Sequence, residues 1–178
     1  MSGFRFQVFV LLILFSGDAY ASSYQKIEVF DGRVVLQIPA GLEGKFDVPE
    51  KQQHGDEAKI PAFIYQDSTK QYKLRFEHIG VRSDDKRLEK YVTTYTQIFK
   101  NNIPYAKFSA PEVREIGGNK IGIIEFIRKE QEMLYTLLFY ITIDGQLAMG
   151  SFDYRGSEVE MAKKQAHQMI SSIEVKAE

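Results

Sequence analysis

Beyond residue 22 the apolar positions of this chain recur mostly at every second residue, the spacing of a strand with one buried face. The first such pattern is VFDGRVVLQIPAGL, residues 29–42. The runs KIEVF and RVVLQI flank Asp31-Gly32, a pair that tolerates the positive φ of a tight hairpin turn. Val34, Leu36 and Ile38 fall on one face of the second run. Pro39 stops it, because proline has no N–H to give to a ladder. Residues 43–61, EGKFDVPEKQQHGDEAKIP, are polar, charged and without sustained period, and read as a long loop. AFIYQDSTKQYKLRFEHIG, residues 62–80, predicts a second hairpin turning near Asp67-Ser68-Thr69. Leu74 and Phe76 face one way in it, and Ile79 falls off that register.

Two stretches change to the helical period. In SDDKRLEKYVTTYTQIFKNN, residues 83–102, Leu88, Tyr91, Val92, Tyr95, Ile98 and Phe99 form one apolar stripe. Ser83 or Asp84 is placed to cap its first turn, and Asn101, Asn102 and Pro104 close it. In SEVEMAKKQAHQMISSIEV, residues 157–175, the stripe is Val159, Ala162, Ala166, Met169, Ile170 and Ile173. Ser157 and Glu160 have the spacing of a capping box. Between the helices lie a short strand near VREI that turns at Gly117-Gly118, then the runs GIIEFIRKE, MLYTLLFYITI and LAMGSFDY. In the middle run Tyr135, Leu137, Phe139 and Ile141 face one way and Leu134, Leu138 and Tyr140 the other. A strand apolar on both faces belongs in the centre of a sheet covered on both sides. Two amphipathic helices and a two-faced antiparallel sheet predict an α+β fold, an α/β/α sandwich.

The N-terminus adds a compartment. Arg5 precedes the apolar run VFVLLILF, and SGDAYA ends in Ala19-Tyr20-Ala21. These are the parts of a secretory signal peptide with an A-x-A cleavage site, and the run is far short of the ~20 residues that span a bilayer. Residues 1–21 are therefore read as a cleaved signal, with no stable membrane insertion afterwards, and residues 22–178 as one domain without repeats or linkers. In a diderm bacterium that domain is periplasmic. The chain has no cysteine, which excludes a lipidated N-terminal Cys, thiol catalysis and thiolate metal ligands. A net charge of −1 gives no electrostatic reason to expect nucleic acid or an anionic membrane as partner.

Four segments, FDGRVVLQIPAGL, EIGGNKIGIIEF, DGQLAMGSFDY and AHQMISSIEV, together resemble the PsbP-like superfamily, most closely its DcrB-type bacterial branch. The resemblance implies a non-enzymatic envelope protein that binds other proteins, on an antiparallel sheet flanked by two helices. It supplies no catalytic residue and no cofactor. DcrB-type proteins are typically lipoproteins, and without a lipobox cysteine that tether is not carried over.

Candidate chemistry is sparse. HGDE, residues 54–57, brings His54 near Asp56 and Glu57 in the polar loop, but a metal site needs more ligands held in place. Glu77 and His78 point to opposite faces of a strand, and His167 is placed on the polar side of the last helix. MGSFD lacks the second glycine of a nucleophile elbow, and GGNKIG lacks the spacing of a phosphate loop. Asp84 and Asp85 are explained by capping. Surfaces are the better candidates: Tyr105 and Phe108, in NIPYAKFSAPE, with His54 and Asp56 of the polar loop, could form an edge that grips a protein. The expected function is a periplasmic accessory or adaptor protein, in a more specific form an immunity protein against an envelope-acting toxin. Alternatives are a carrier with a small-molecule or lipid pocket between sheet and first helix, and a hydrolase with carboxylates assembled in space.

Overall fold

The computed structural model describes residues 23–47 and 62–176; the signal segment with Ala19 and Ala21, and His54 and Asp56, lie outside them. In chain order the strands are β1 (Tyr24–Val29), β2 (Val34–Pro39), β3 (Glu43–Asp47), β4 (Ala62–Gln66) and β5 (Tyr72–Arg82). Helix α1 (Asp85–Asn102) follows, then β6 (Lys107–Phe108), β7 (Glu112–Ile116), β8 (Asn119–Lys129), β9 (Met133–Ile143) and β10 (Gln146–Arg155). Helix α2 (Val159–Ser171) and β11 (Glu174–Val175) close the chain.

The larger sheet has the order β3-β4-β5-β10-β9-β8-β6, with β7 also paired to β8, and every pairing is antiparallel. The opening hairpin lies outside it and forms a second sheet, β1-β2-β11, in the layer of α2. The turn of that hairpin is as expected: Asp31 and Gly32 have φ of 56° and 78°, and the Arg33 N–H donates to the Phe30 carbonyl at 3.0 Å. Val34, Leu36 and Ile38 are fully buried in the core that α2 and the small sheet build against the large one. The antiparallel α+β arrangement and its two flanking helices are those predicted.

β9 separates two cores. Tyr135, Leu137, Phe139 and Ile141 face α2; Leu138 and Tyr140 face α1. α1 sits close on β8 at Gly122, where a Cβ would run into Cγ2 of Val92. The Tyr95 and Tyr140 rings stack at 5.2 Å, and Phe99 and Phe126 lie 6.2 Å apart. These rings pack between α1 and the sheet, the layer in which the carrier alternative places a pocket.

Three local expectations are corrected. Residues 43–47 are not loop but β3, an edge strand on β4. All its side chains are exposed, so no alternation of burial shaped its sequence. On α1, Thr96 is 4 % exposed and Ile98 43 %. At about 100° per residue the stripe centres on Val92 and Phe99, which turns Ile98 out and Thr96 in. The Thr96 hydroxyl is satisfied by donating to the Val92 carbonyl at 2.7 Å. Of the two cap candidates Asp84 is the one used on α1, as the sequence allowed, its carboxylate accepting from the Arg87 N–H at 2.8 Å. α2 has no capping box: it starts at Val159, and the N-cap Glu158 makes no side-chain cap bond. Instead the Tyr154 hydroxyl accepts from the Glu158 N–H at 3.2 Å.

Candidate functional site

The α1-side face of the large sheet is apolar where the helix packs, over β7, β8 and β9, and turns polar beyond it. The strand registers align one row of side chains straight across that face. Phe108 on β6 is opposite Phe126, which is opposite Thr136, then Asp153 on β10 and Lys73 on β5, ending at Gln66 on β4. Two of the six are aromatic and the other four polar. The change of character coincides with the limit of the helix.

Around the polar part lies a concavity of about 500 Å³ lined by Lys70, Lys73, Arg128 and Arg155, with Asp153 in its floor. The Thr136 hydroxyl donates to Asp153 Oδ1 at 2.7 Å, and Ser151 approaches the other oxygen at 3.5 Å. No cation lies within ion-pair distance of Asp153 among the described residues. Burial raises its carboxyl above the ordinary range, against the Thr136 hydrogen bond and the charges of Lys73 and Arg128. At the rim Glu130 forms ion pairs with Arg128 at 3.1 Å and Arg155 at 3.5 Å. The Nε–H of Arg128, shielded from solvent, has no acceptor among the described residues.

A second polar cluster lies on the opposite face, beneath α2. Glu125, on β8, is 6 % exposed and receives Lys163 Nζ and His167 Nε2, each at 3.2 Å. Arg114 Nη1 stands 3.3 Å from His167 Nδ1 and also pairs with Glu112. An arginine can only donate, so Nδ1 accepts and the imidazole hydrogen is assigned to Nε2, where it reaches Glu125. His167 is therefore not on the polar side of α2 as the sequence suggested; it is half-buried against the sheet. Near it the Tyr135 hydroxyl is buried without a hydrogen bond of good geometry among the described residues. Burial first, and the charge of Glu125 second, push its ionisation above the usual range for tyrosine.

The two aromatics expected to form a common edge diverge. Tyr105 is 93 % exposed, on a turn held by the Ala106 N–H donating to the Ile103 carbonyl at 3.0 Å. Phe108 turns inward, its ring 4.9 Å from Phe126, with the Lys100 ammonium 5.8 Å above it. Glu77 and His78 do diverge, Glu77 pairing with Arg75 at 2.7 Å while His78 lies 5.1 Å from Phe30. Among the described residues no group of three or more His, Asp and Glu is placed to hold a metal ion.

Sequence reasoning did not single out Asp153, Thr136, Lys73 or Arg128. A signal for the first two was present. Counting back from the Asp144-Gly145 turn puts Thr136 opposite Asp153, two polar residues paired on one face of neighbouring strands.

These layers and strand orders define a PsbP-like α+β fold. The sequence matches no protein-family model and no curated protein. Among solved structures it is similar to cyanobacterial PsbP (CyanoP) from Synechocystis sp. PCC 6803, at 15 % identity and a TM-score of 0.57 over 90 % of this chain and 96 % of that one. The Ran-binding protein Mog1p of Saccharomyces cerevisiae shares 11 % identity, with a TM-score of 0.52 over 87 % and 96 %. LpqN of Mycobacterium tuberculosis, involved in cell envelope biogenesis, shares 13 % identity, with a TM-score of 0.50 over 87 % and 91 %. No helix among the described residues is long and apolar enough to cross a membrane.

Proposed function

We propose that this chain is an exported, periplasmic accessory protein of the DcrB type that acts by binding another protein and not by catalysis. The observation that carries the reading is Tyr105. A tyrosine 93 % exposed serves no core, and its turn is anchored between α1 and an edge strand, so binding would cost little ordering. Aromatics held this way are favoured interface anchors. Support from similar folds is of the same kind, since Mog1p is a Ran-binding protein and LpqN is involved in envelope biogenesis. The open concavity presents a single carboxylate, Asp153, among its lining residues, where hydrolysis by a carboxylate pair needs two. Immunity against an envelope-acting toxin is the most specific form of this role.

The test is affinity capture from periplasmic extract of the native host, with the wild type and Tyr105→Ala side by side. A specific partner should be retained by the wild type and weakened by roughly tenfold or more in the variant, the loss typical of an interface anchor. Equal retention by both would remove Tyr105 from the interface. Failure to retain any specific protein would overturn the protein-binding reading.

A further inference from the structure

The concavity on the open half of the sheet face does not involve Tyr105, and its chemistry points elsewhere. Its lining is rich in donors: Lys70, Lys73, Arg128 and Arg155 surround one carboxylate. Glu130 engages the two arginines at the rim, while Lys70 and Lys73 form no ion pair among the described residues. The same concavity keeps Asp153 in its floor, where the surrounding protein supplies only hydroxyls, from Thr136 and Ser151. A carboxylate placed in a strand face and left without a cation is a costly arrangement, and such arrangements concentrate at binding sites. The volume falls within the ~300–1,000 Å³ of small-molecule sites.

We infer that this concavity binds a small hydroxylated organic anion, with Lys70, Lys73 and Arg128 on the anionic group and Asp153 on a hydroxyl. A hydroxyl suits Asp153 better than an ammonium would. Among the described residues Asp153 Oδ2 has only Ser151 at 3.5 Å and is left to accept from a hydroxyl, while the four cations of the lining repel an ammonium. A simple anion would meet the cations and leave Asp153 unused. A neutral sugar would do the reverse. The ligand class is therefore a phosphorylated or carboxylated polyol.

The test is an NMR titration of the purified, ¹⁵N-labelled protein with four probes: glucose 6-phosphate, gluconate, glucose and inorganic phosphate. At least one of the first two should shift the backbone amides of Thr69, Lys70, Lys73 and Arg155 saturably. Its Kd should be at least about tenfold below those of glucose and phosphate, the worth of one charge-assisted hydrogen bond. Lys73→Gln and Asp153→Asn should each raise that Kd by about tenfold or more. Lys90→Gln, which removes a charge from the exposed side of α1, should leave it unchanged. The spectra report folding of each variant directly, and Lys73→Gln carries the test if Asp153→Asn fails to fold. No saturable shift with either hydroxylated anion would overturn the inference, as would phosphate binding equally well. A folded Asp153→Asn that binds like the wild type would remove Asp153 from the site.

Discussion

Glu125 and Asp153 are carboxylates drawn into opposite faces of one sheet, and their surroundings differ in kind. Glu125 lies beneath α2 with Lys163 and His167 each 3.2 Å away, and a helix closes over the cluster. Asp153 lies where α1 no longer covers the sheet, with hydroxyls for partners and its cations held beyond ion-pair distance. An ionised group out of water is tolerable when oppositely charged donors satisfy it. Glu125 meets that condition within the protein, so a structural account of it is complete. Asp153 does not, and the missing partner is what makes its concavity a candidate site.

The largest expected effect breaks the first of these arrangements. Glu125→Ala removes the acceptor of the Lys163 ammonium and of the His167 Nε2–H and leaves a void under α2. It should cost about 2–4 kcal/mol, the range for losing buried polar partners together with volume. Lys163 is more than a third exposed and can turn to water, which keeps the loss below that of a fully buried pair. Denaturant unfolding of the variant measures it. A change below about 0.5 kcal/mol, the level of an ordinary surface substitution, would mean that the cluster is not a structural tie.

Next in size is the helix that divides the two halves of the other face. Gly122→Val places a branched side chain where Val92 already sits, and should cost about 1–3 kcal/mol by overpacking. NMR shifts should move at Leu88, Val92 and Tyr140 and leave Thr136 and Asp153 in place. Equal perturbation of both sets would show that the open half is not independent of the covered one.

What could be read from the chain divides along the same line. The hairpins, the central strand and most of both buried stripes were legible, because burial on one face writes a period into the sequence. β3 was not, since its side chains are all exposed and only its backbone takes part in the sheet. The cap of α2 was missed because its partner, Tyr154, comes from the preceding strand and not from the capping sequence. His167 sits beside the α2 stripe, and only the strand it meets, with Glu125 and Arg114, decides that it faces inward. Pairing Asp153 with Thr136 required reading two strands together, and the cations of the concavity come from three strands and a turn. Tyr105 was noticed for the right reason, having no place in a periodic core, while Phe108 has one that the loop sequence conceals.

The smallest effect has the opposite sign, and it tests whether Asp153 is costly to the fold. The folded-state pKa of Asp153 is raised, chiefly by burial, so the native protein binds its proton more tightly than the unfolded chain does. Stability then falls as pH rises from the ordinary aspartate range, about 3.9, through the raised native value. Above that window the wild type carries the cost of an ionised, desolvated carboxylate; below it, none. Asparagine mimics the protonated acid and keeps an oxygen for the Thr136 hydroxyl, so Asp153→Asn should be the more stable protein at pH 7. A gain of about 2–4 °C in Tm corresponds to ~1 kcal/mol in a chain of this length. The advantage should shrink as the pH is lowered and vanish near pH 3, which thermal melts of both proteins across that range will show. If Asp153→Asn melts lower than the wild type at pH 7, then Lys73 and Arg128 already satisfy Asp153. The two carboxylates would then be alike, and no ligand would be needed to explain either.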